Sequence, residues 1–299
     1  MLRKIWYVLK LTRWFHELLG LVPFVTIYLI LISLSEKLGV DCATDNMNFA
    51  VICLGVQLLM MSGFVLNDIK DRDTDSINKP TTRIVELKLS LGTAKRIYWM
   101  ITLLACLVSI YIGLFIFPAW LWISPIVFVL SIGYSLYFKR WPLVGNIVIA
   151  AMASAIPLVI LMYFHDCIER IDSDEFVRLI YIYSAWPFMI IVPRELSLDI
   201  SDYQGDEQSG CKTLPVVYGV KFARKIVLIL LSVVMALTLL YGFVFTKHLL
   251  LAGILDALLL FYVFIFLKCE TRIEYIKAGR YLWFVMIVGI VSVTMAFLH

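Results

Sequence analysis

Residues 97–117 read IYWMITLLACLVSIYIGLFIF, and residues 118–138 continue as PAWLWISPIVFVLSIGYSLYF without a charged side chain in either stretch. A bilayer core about 30 Å thick is crossed by a helix of roughly 17–25 apolar residues, so each stretch is long enough to span it. Pro118 has no N–H group and its ring clashes with the preceding turn, so one helix cannot run through it. The pattern predicts two consecutive membrane helices that meet at Phe117–Pro118.

The rest of the chain has the same apolar character. Of its 299 residues, 62% are hydrophobic and 16% are charged, and the mean hydropathy is +0.92. Soluble domains carry about a quarter charged residues, so this chain has too little polar surface for a water-facing globule. We therefore predict an all-α integral membrane protein of about nine transmembrane helices in one domain, residues 1–299. The predicted spans are 14–35, 49–66, 97–117, 118–138, 143–165, 176–196, 223–243, 248–267 and 280–298.

The basic residues indicate the orientation. Nine spans place all but four of the 26 Lys and Arg residues on the side of the N-terminus, the exceptions being Lys37, Arg170, Arg178 and Lys247. Because cytoplasmic loops carry the excess of Lys and Arg, we predict a multi-pass protein of the cell membrane with a cytoplasmic N-terminus. The six cysteines are scattered without a C-x-x-C pair, and we expect most of them to be small packing residues.

Two long loops on the predicted cytoplasmic side carry aspartates at one repeated spacing. The first contains NDIKDRDTD from Asn67 to Asp75, and the second contains DISDYQGD from Asp199 to Asp206. Three aspartates in each follow the pattern i, i+3, i+7, which places their carboxylates on one face of a helix. A single such motif is most often solvated surface, but the repetition on one membrane face favours a shared site. The aspartates are Asp68, Asp71 and Asp75, and Asp199, Asp202 and Asp206.

Clustered carboxylates repel one another unless a cation binds between them. Mg2+ prefers oxygen ligands and is commonly held by one or two carboxylates together with water and substrate phosphates. No His-rich or Cys-rich companion motif points to zinc or iron. The residues therefore predict a site for a Mg2+-bound diphosphate, whose remaining charge nearby cations would neutralise. Those cations are Lys70, Arg72, Lys79, Arg83, Lys139, Arg140, Arg194 and Lys212.

These motifs resemble those of the UbiA-type intramembrane prenyltransferases. The family hallmarks N-D-x-x-D-x-x-x-D and D-x-x-D-x-x-x-D are matched by residues 67–75 and 199–206. The INKP run at 77–80 and the GCKTLP run at 210–215 look most like the geranylgeranylglyceryl-phosphate geranylgeranyltransferase branch. The chain departs from the family after Arg83, where IVEL replaces the usual Arg-Pro-Ile or Arg-Pro-Leu continuation, and at His16, where many members carry Asn.

The resemblance implies a nine-helix bundle around a central cavity that binds an isoprenyl diphosphate, and transfer of its prenyl group to a lipophilic or amphiphilic acceptor. The active site would face the cytoplasm, and nucleic acid is not an expected partner. Asp68, Asp71, Asp75, Asp202 and Asp206 would hold Mg2+, with Asn67 and Asp199 as ligands or as partners of ligands. The substrate would be held by the following residues: Tyr134, Lys139, Arg140, Arg83, Lys79 and Lys212 at the diphosphate, and Arg13 and His16 at the acceptor.

Other functions share part of this pattern. A terpene cyclase of the same fold would ionise the diphosphate and quench the cation within the same molecule. A transporter would instead show broken helices and ionisable groups near the bilayer midplane. Phe24, Tyr28, Trp186 and Phe188 either line the prenyl tunnel or have lipid-facing or packing roles. We expect Asp256, inside the eighth span, to form an interhelical hydrogen bond.

Overall fold

The computed structural model describes residues 2–42, 45–245 and 248–298, and their regular structure is helical apart from one isolated bridge between Val85 and Leu89. This confirms the predicted all-α class. Eight helices of the described part are long and apolar enough to cross a membrane. The helices are α1 (Leu2–Leu11), α2 (Trp14–Leu38), α3 (Asn46–Lys70), α4 (Arg72–Asn78), α5 (Leu91–Tyr111), α6 (Trp120–Leu136), α7 (Val144–Ser154), α8 (Leu158–Tyr163), α9 (His165–Ile171), α10 (Asp174–Gln208), α11 (Leu214–Tyr218), α12 (Val220–Val244), α13 (Leu249–Leu267) and α14 (Arg272–Leu298).

The predicted fifth span is the one that does not form a single long helix. Helix α7 ends at Ser154, and two short helices, α8 and α9, follow a turn at residues 155–157. Pro157 lies in this turn and caps α8, where its fixed φ and missing N–H group are tolerated. The predicted count of nine spans is therefore not confirmed. By contrast, the break at Phe117–Pro118 is confirmed, since α5 ends in a π-helical turn, Ile112–Ile116, before α6 begins at Trp120.

The chain forms two compact units, each built from two separate segments. Unit 1 comprises Met1–Phe138 with Ile156–Val177, and unit 2 comprises Lys139–Ala155 with Arg178–His299. In unit 1, α3 packs against α2, α5 and α6. The absence of a side chain at Gly55 permits this approach, because a Cβ there would lie 2.5 Å from Ile112 Cδ1 and 3.2 Å from Trp120 Cζ2.

A disulfide bond between Cys42 and Cys167 ties the α2–α3 connection of unit 1 to α9. These two cysteines are exceptions to the expectation that most of the cysteines are small packing residues, because they are covalently paired across 125 positions. Close to it, Tyr28 stacks on Phe49 with ring centroids 3.7 Å apart, and Phe24 stacks on the same ring at 5.1 Å. Phe24 and Tyr28 are both buried, so the structure favours packing roles for them.

Unit 2 is organised around α10, against which α14 packs along its length. Trp186 Nε1 donates to the Met286 carbonyl at 3.2 Å, and its ring occupies the space beside Gly289. Farther along α10, a hydrogen bond of 2.8 Å joins the Ser197 hydroxyl to that of Tyr262 on α13. Asp256 is buried on α13, but neither carboxylate oxygen has a hydrogen-bond partner among the described residues. The expected interhelical hydrogen bond of Asp256 is therefore not found.

Candidate active site

The first aspartate motif lies in unit 1, where α3 ends and α4 begins. Asp68 is in the last turn of α3, Asp71 is the residue between the helices, and Asp75 is in α4. The backbone N–H groups of Asp71 and Asp75 donate to the carbonyls of Asn67 and Asp71 at 2.8 and 2.7 Å. Because these are helical i→i−4 bonds, the predicted helical spacing persists through the junction.

Each aspartate of the first motif has a polar partner within unit 1. The Arg13 guanidinium lies 3.1 Å from Asp68 Oδ1, and Lys79 Nζ lies 2.9 Å from Asp75 Oδ1. Asn67 Nδ2 donates to Asp71 Oδ2 at 2.8 Å. The side chains of Asp68 and Asp75 are 16% and 15% exposed, whereas that of Asp73 is 80% exposed. The difference in exposure separates Asp73 from the motif, as its position off the common helical face predicts.

The electrostatics of Asp75 reflect this crowding of acids. Burial raises the pKa of the Asp75 carboxyl above its ordinary value. Lys79 opposes the rise, and the nearby charges of Asp71 and Asp68 add to it. The carboxylate form of Asp75 is thus costly in the absence of a further cation, and a divalent ion would supply the missing compensation.

The loop after α4 folds back on the end of α3. Val85 and Leu89 are buried against Leu66 and Ile69 of α3, which fixes the loop beside the aspartates. The turn between them places Glu86 in a left-handed conformation with φ of 70°, held by a bond of 2.7 Å from its N–H group to the Leu89 carbonyl. The residues that depart from the family pattern therefore form an ordered turn with a buried anchor.

Arg83 begins this loop and has unused donor capacity. Its Nη1 donates to the Ser76 carbonyl at 3.5 Å, while its Nε is buried and has no hydrogen-bond partner among the described residues. A phosphate oxygen is the type of acceptor that a guanidinium binds well. Tyr134 is half-buried near the end of α6 in the same unit. The side chain of His16 lies outside the described part of the structure, so its predicted acceptor role is not addressed.

Arg13, predicted to bind the acceptor, lies at the start of α2. It connects α1 and α2 in a left-handed conformation with φ of 52°. Its guanidinium lies over the Phe64 ring at 4.7 Å while it pairs with Asp68. Arg13 thus contacts the aspartate motif itself.

The second aspartate motif lies wholly within α10 of unit 2, so its helical spacing is regular. Asn146 Nδ2 on α7 donates to Asp199 Oδ2 at 2.9 Å. The Arg272 guanidinium at the start of α14 lies 2.8 Å from Asp202 Oδ1. Thr213 Oγ1 donates to Asp206 Oδ2 at 3.2 Å. Residues from three other elements of unit 2 therefore fix these carboxylates.

The GCKTLP run explains how α10 ends and why Thr213 reaches back to it. Gly210 has φ of 70°, and the N–H groups of Gly210 and Cys211 donate to the carbonyls of Glu207 and Asp206. This left-handed glycine terminates the helix, and Pro215 then starts α11 within its first turn. The Lys212 N–H group donates to the Arg140 carbonyl at 2.8 Å, which joins the backbone at two of the predicted phosphate-binding residues.

Other predicted cations of unit 2 lie in different surroundings. Lys139 is half-buried and adjoins Arg140, which is exposed. Arg194 contacts Glu195 and places its guanidinium 5.2 Å from the centroid of the Trp283 ring. It therefore has an acidic and an aromatic neighbour within unit 2.

Arg272 is the residue that sequence reasoning missed. It is 70 positions from Asp202 in the chain and outside both motif loops. Only its place in a short basic segment at the predicted cytoplasmic end of the last helix could have indicated it.

The carboxylates fit Mg2+ in ligand type, although they are not gathered into a complete cage. Among the described residues, no group of three or more His, Cys, Asp or Glu side chains is placed to hold a metal ion. Mg2+ usually takes one or two carboxylates and fills its shell with water and phosphate oxygens, so an aspartate motif suits it without such a cage. Arg13, Lys79 and Arg272 are the cations whose contacts such an ion would replace.

Comparisons with known proteins agree with these motifs. The profile of the UbiA prenyltransferase family matches residues 21–285. Digeranylgeranylglyceryl phosphate synthase of Methanobrevibacter smithii is 26% identical over 243 residues, which cover 80% of this chain and 83% of the relative. Protoheme IX farnesyltransferase of Edwardsiella ictaluri is 28% identical over 213 residues, covering 70% of this chain and 69% of the relative. Relatives of different names thus match at similar identity.

A solved structure shares the fold. A UbiA homolog from Archaeoglobus fulgidus, bound to DMAPP and Mg2+, is similar with a TM-score of 0.60 and 20% sequence identity. The match covers 96% of this chain and 99% of that chain. At this level of identity the likeness concerns the fold alone.

Proposed function

The chain belongs to the UbiA prenyltransferase family, and from that premise we propose that this membrane enzyme ionises an isoprenyl diphosphate with the help of Mg2+ and transfers the prenyl group to an amphiphilic acceptor. One observation carries the proposal: the aspartates of both motifs keep the i, i+3, i+7 spacing on helical backbone, and each is held by a polar partner. Paired and oriented carboxylates are what a Mg2+-diphosphate requires.

The proposed reaction begins with cleavage of the bond between the allylic C1 carbon and the diphosphate oxygen. The oxygen keeps the electron pair, and an allylic cation remains. Mg2+ bound by the motif aspartates would neutralise charge on the leaving diphosphate. Arg83, with its unused Nε donor, and Lys139 would bind the phosphate oxygens as their charge develops. Tyr134 would hydrogen-bond the diphosphate or stabilise the cation with its ring face.

The second half of the reaction needs a nucleophile and the exclusion of water. A hydroxyl or activated carbon of the acceptor would attack the allylic cation and lose its proton to the released diphosphate. Apolar surroundings would keep water from quenching the cation first. We propose that residues 1–299 form a single prenyltransferase domain, which is supported by an unbroken family match over residues 21–285.

The acceptor is proposed from the branch that the sequence resembles. The GCKTLP run and the Methanobrevibacter smithii relative support a prenyl chain of about C15–C20 and an acceptor with a polar or anionic head, such as a glycerol-phosphate lipid. The farnesyltransferase relative shows that similarity by itself does not distinguish acceptors. The acceptor therefore has to be tested directly.

The orientation is proposed from two independent features. The excess of Lys and Arg supports a cytoplasmic N-terminus and cytoplasmic aspartate motifs. Within unit 1, the Cys42–Cys167 disulfide lies at the opposite ends of α2 and α3 from the Arg13–Asp68 ion pair. Because disulfides persist in oxidising compartments, this supports an arrangement in which Asp68 faces the reducing cytoplasm.

Purified protein in lipid nanodiscs would test this function. It should be incubated with C10, C15 and C20 prenyl diphosphates, with and without geranylgeranylglyceryl phosphate or 4-hydroxybenzoate, and the products identified by mass spectrometry. The proposal expects a prenylated acceptor in the presence of Mg2+ and none with EDTA. A cyclic hydrocarbon or alcohol formed without acceptor would contradict it and indicate the cyclase.

A further inference from the structure

Arg272 makes a contact within unit 2 that neither aspartate motif predicts. Its Nη2 lies 2.8 Å from Asp202 Oδ1, and the Ser201 hydroxyl donates to the same oxygen at 3.3 Å. The side chains of Arg272 and Asp202 are 35% and 28% exposed. The ion pair is therefore partly open to solvent, although its partners come from two different helices.

The stability of α14 gives no reason for an arginine at this position. Arg272 is the first residue of the helix, where the positive end of the helix dipole disfavours a cation. The helix start is already capped, since the Glu274 carboxylate accepts from the N–H groups of Glu270 and Thr271 at 2.9 Å each. Helix capping and the helix dipole thus do not explain the arginine, whereas the contact with Asp202 gives its side chain a specific partner.

We infer that Arg272 is a positioning residue that holds Asp202 in the metal-free enzyme and transfers its contact to a phosphate oxygen when Mg2+ and diphosphate bind. The inference rests on the proposed function and deepens it. Asp202 lies on the same helical face as Asp199 and Asp206, so the charge of Arg272 offsets part of the repulsion among these carboxylates. The same contact occupies the Asp202 carboxylate, so it has to be given up when a divalent cation binds there.

The transfer of the contact is energetically feasible. A partly exposed ion pair is worth about 1 kcal/mol or less, so a divalent cation at Asp202 can displace it. A displaced guanidinium keeps its charge and has donors in a planar arrangement that suits phosphate oxygens. Arg13 makes a similar contact with Asp68 in unit 1, at 3.1 Å. Each motif thus has one aspartate paired with an arginine from another element.

Substitution of Arg272 should change the affinity for Mn2+ and the affinity for diphosphate in opposite directions. A merely structural role would not produce this result. Arg272 competes with the metal for Asp202, so Arg272→Gln should tighten binding of Mn2+ alone about threefold. The same substitution should weaken binding of inorganic diphosphate in the presence of Mn2+ about tenfold, because a charge-assisted contact is lost. Arg272→Lys should restore part of the diphosphate affinity.

Mn2+ binding can be measured on the purified full-length protein by electron paramagnetic resonance, with and without inorganic diphosphate, alongside thermal unfolding. Arg280→Gln is the matched control, since Arg280 is exposed about two turns farther along α14. It should change neither affinity. Opposite shifts in Arg272→Gln support the inference. The inference would be overturned if Arg272→Gln weakened both affinities and lowered thermal stability, or if it left both affinities unchanged. It would also be overturned if the unsubstituted protein did not bind Mn2+.

These measurements separate the inference from the proposed function. Prenyl transfer by the unsubstituted protein, together with unchanged affinities in Arg272→Gln, would leave the function standing and refute the role of Arg272. Opposite shifts in a protein that transfers no prenyl group would support the role of Arg272 and refute the function.

Discussion

Replacement of Asp75 by Asn should separate catalytic function from stability. The Asp75 side chain is 15% exposed, and burial raises its pKa despite the Lys79 ammonium 2.9 Å away. A carboxyl whose pKa is raised by folding destabilises the folded state when it is ionised, at pH values above the raised pKa. Asn has nearly the same shape without the charge. Asp75→Asn should therefore leave stability at neutral pH unchanged or raise it by about 0.5 kcal/mol.

The same substitution should abolish most of the activity. Loss of a group that only supports a metal ligand commonly lowers metal affinity or activity by roughly 10–100-fold. Loss of Asp75, a proposed charged ligand, should therefore lower kcat/KM by about 100-fold or more. Asp73→Asn is the matched control, because Asp73 is 80% exposed on the same short helix and pairs only with neighbouring Arg72 among the contacts described for it. It should lower kcat/KM by less than about threefold.

The assay combines prenyl transfer with thermal unfolding between neutral and acidic pH. As the pH falls through the raised pKa, protonated Asp75 no longer carries its charge, so the stability advantage of Asp75→Asn should disappear. The reasoning would be refuted if Asp75→Asn markedly destabilised the protein at neutral pH. It would also be refuted if Asp73→Asn lost as much activity as Asp75→Asn.

Three further predictions concern the framework around the motifs. Asn146→Ala removes the donor to Asp199 and should lower the free energy of unfolding by about 1–3 kcal/mol; an unchanged melting temperature would contradict the contact. Glu86→Gly should stabilise the protein by about 1 kcal/mol and preserve activity, because φ of 70° suits glycine; destabilisation would contradict the turn. Cys42 and Cys167 should resist alkylation until the protein is reduced, and Cys42→Ser should cost about 2–4 kcal/mol; labelling without reductant would exclude the disulfide.

The features that the sequence predicted are those set by local patterns. An uncharged stretch with a proline in its middle specifies two helices and the break between them, and the structure has that break after Ile116. The spacing of Asp199, Asp202 and Asp206 requires only that their segment be helical, and α10 is continuous through it. Both predictions depend on residues within a few turns of one another.

The features that the sequence did not predict are of two kinds. Some depend on contacts between segments far apart in the chain, and one depends on a turn that interrupts an apolar stretch. The fifth apolar stretch has the composition of a membrane span, but the turn that contains Pro157 interrupts its helix. The Cys42–Cys167 pairing cannot be deduced from cysteine positions, since six cysteines permit many pairings. Likewise, the contact between Arg272 and Asp202 exists only because α10 and α14 pack side by side.

The central claim is that aspartates of both motifs bind Mg2+ to ionise a prenyl diphosphate. Its most direct test is the Mg2+-dependent release of inorganic diphosphate from geranylgeranyl diphosphate by purified protein in nanodiscs, with the acceptor present. We predict that release requires Mg2+ or Mn2+ and is lost in both Asp71→Ala and Asp202→Ala, while both variants remain folded. Release that persists in EDTA, or that survives loss of either aspartate, would contradict the claim.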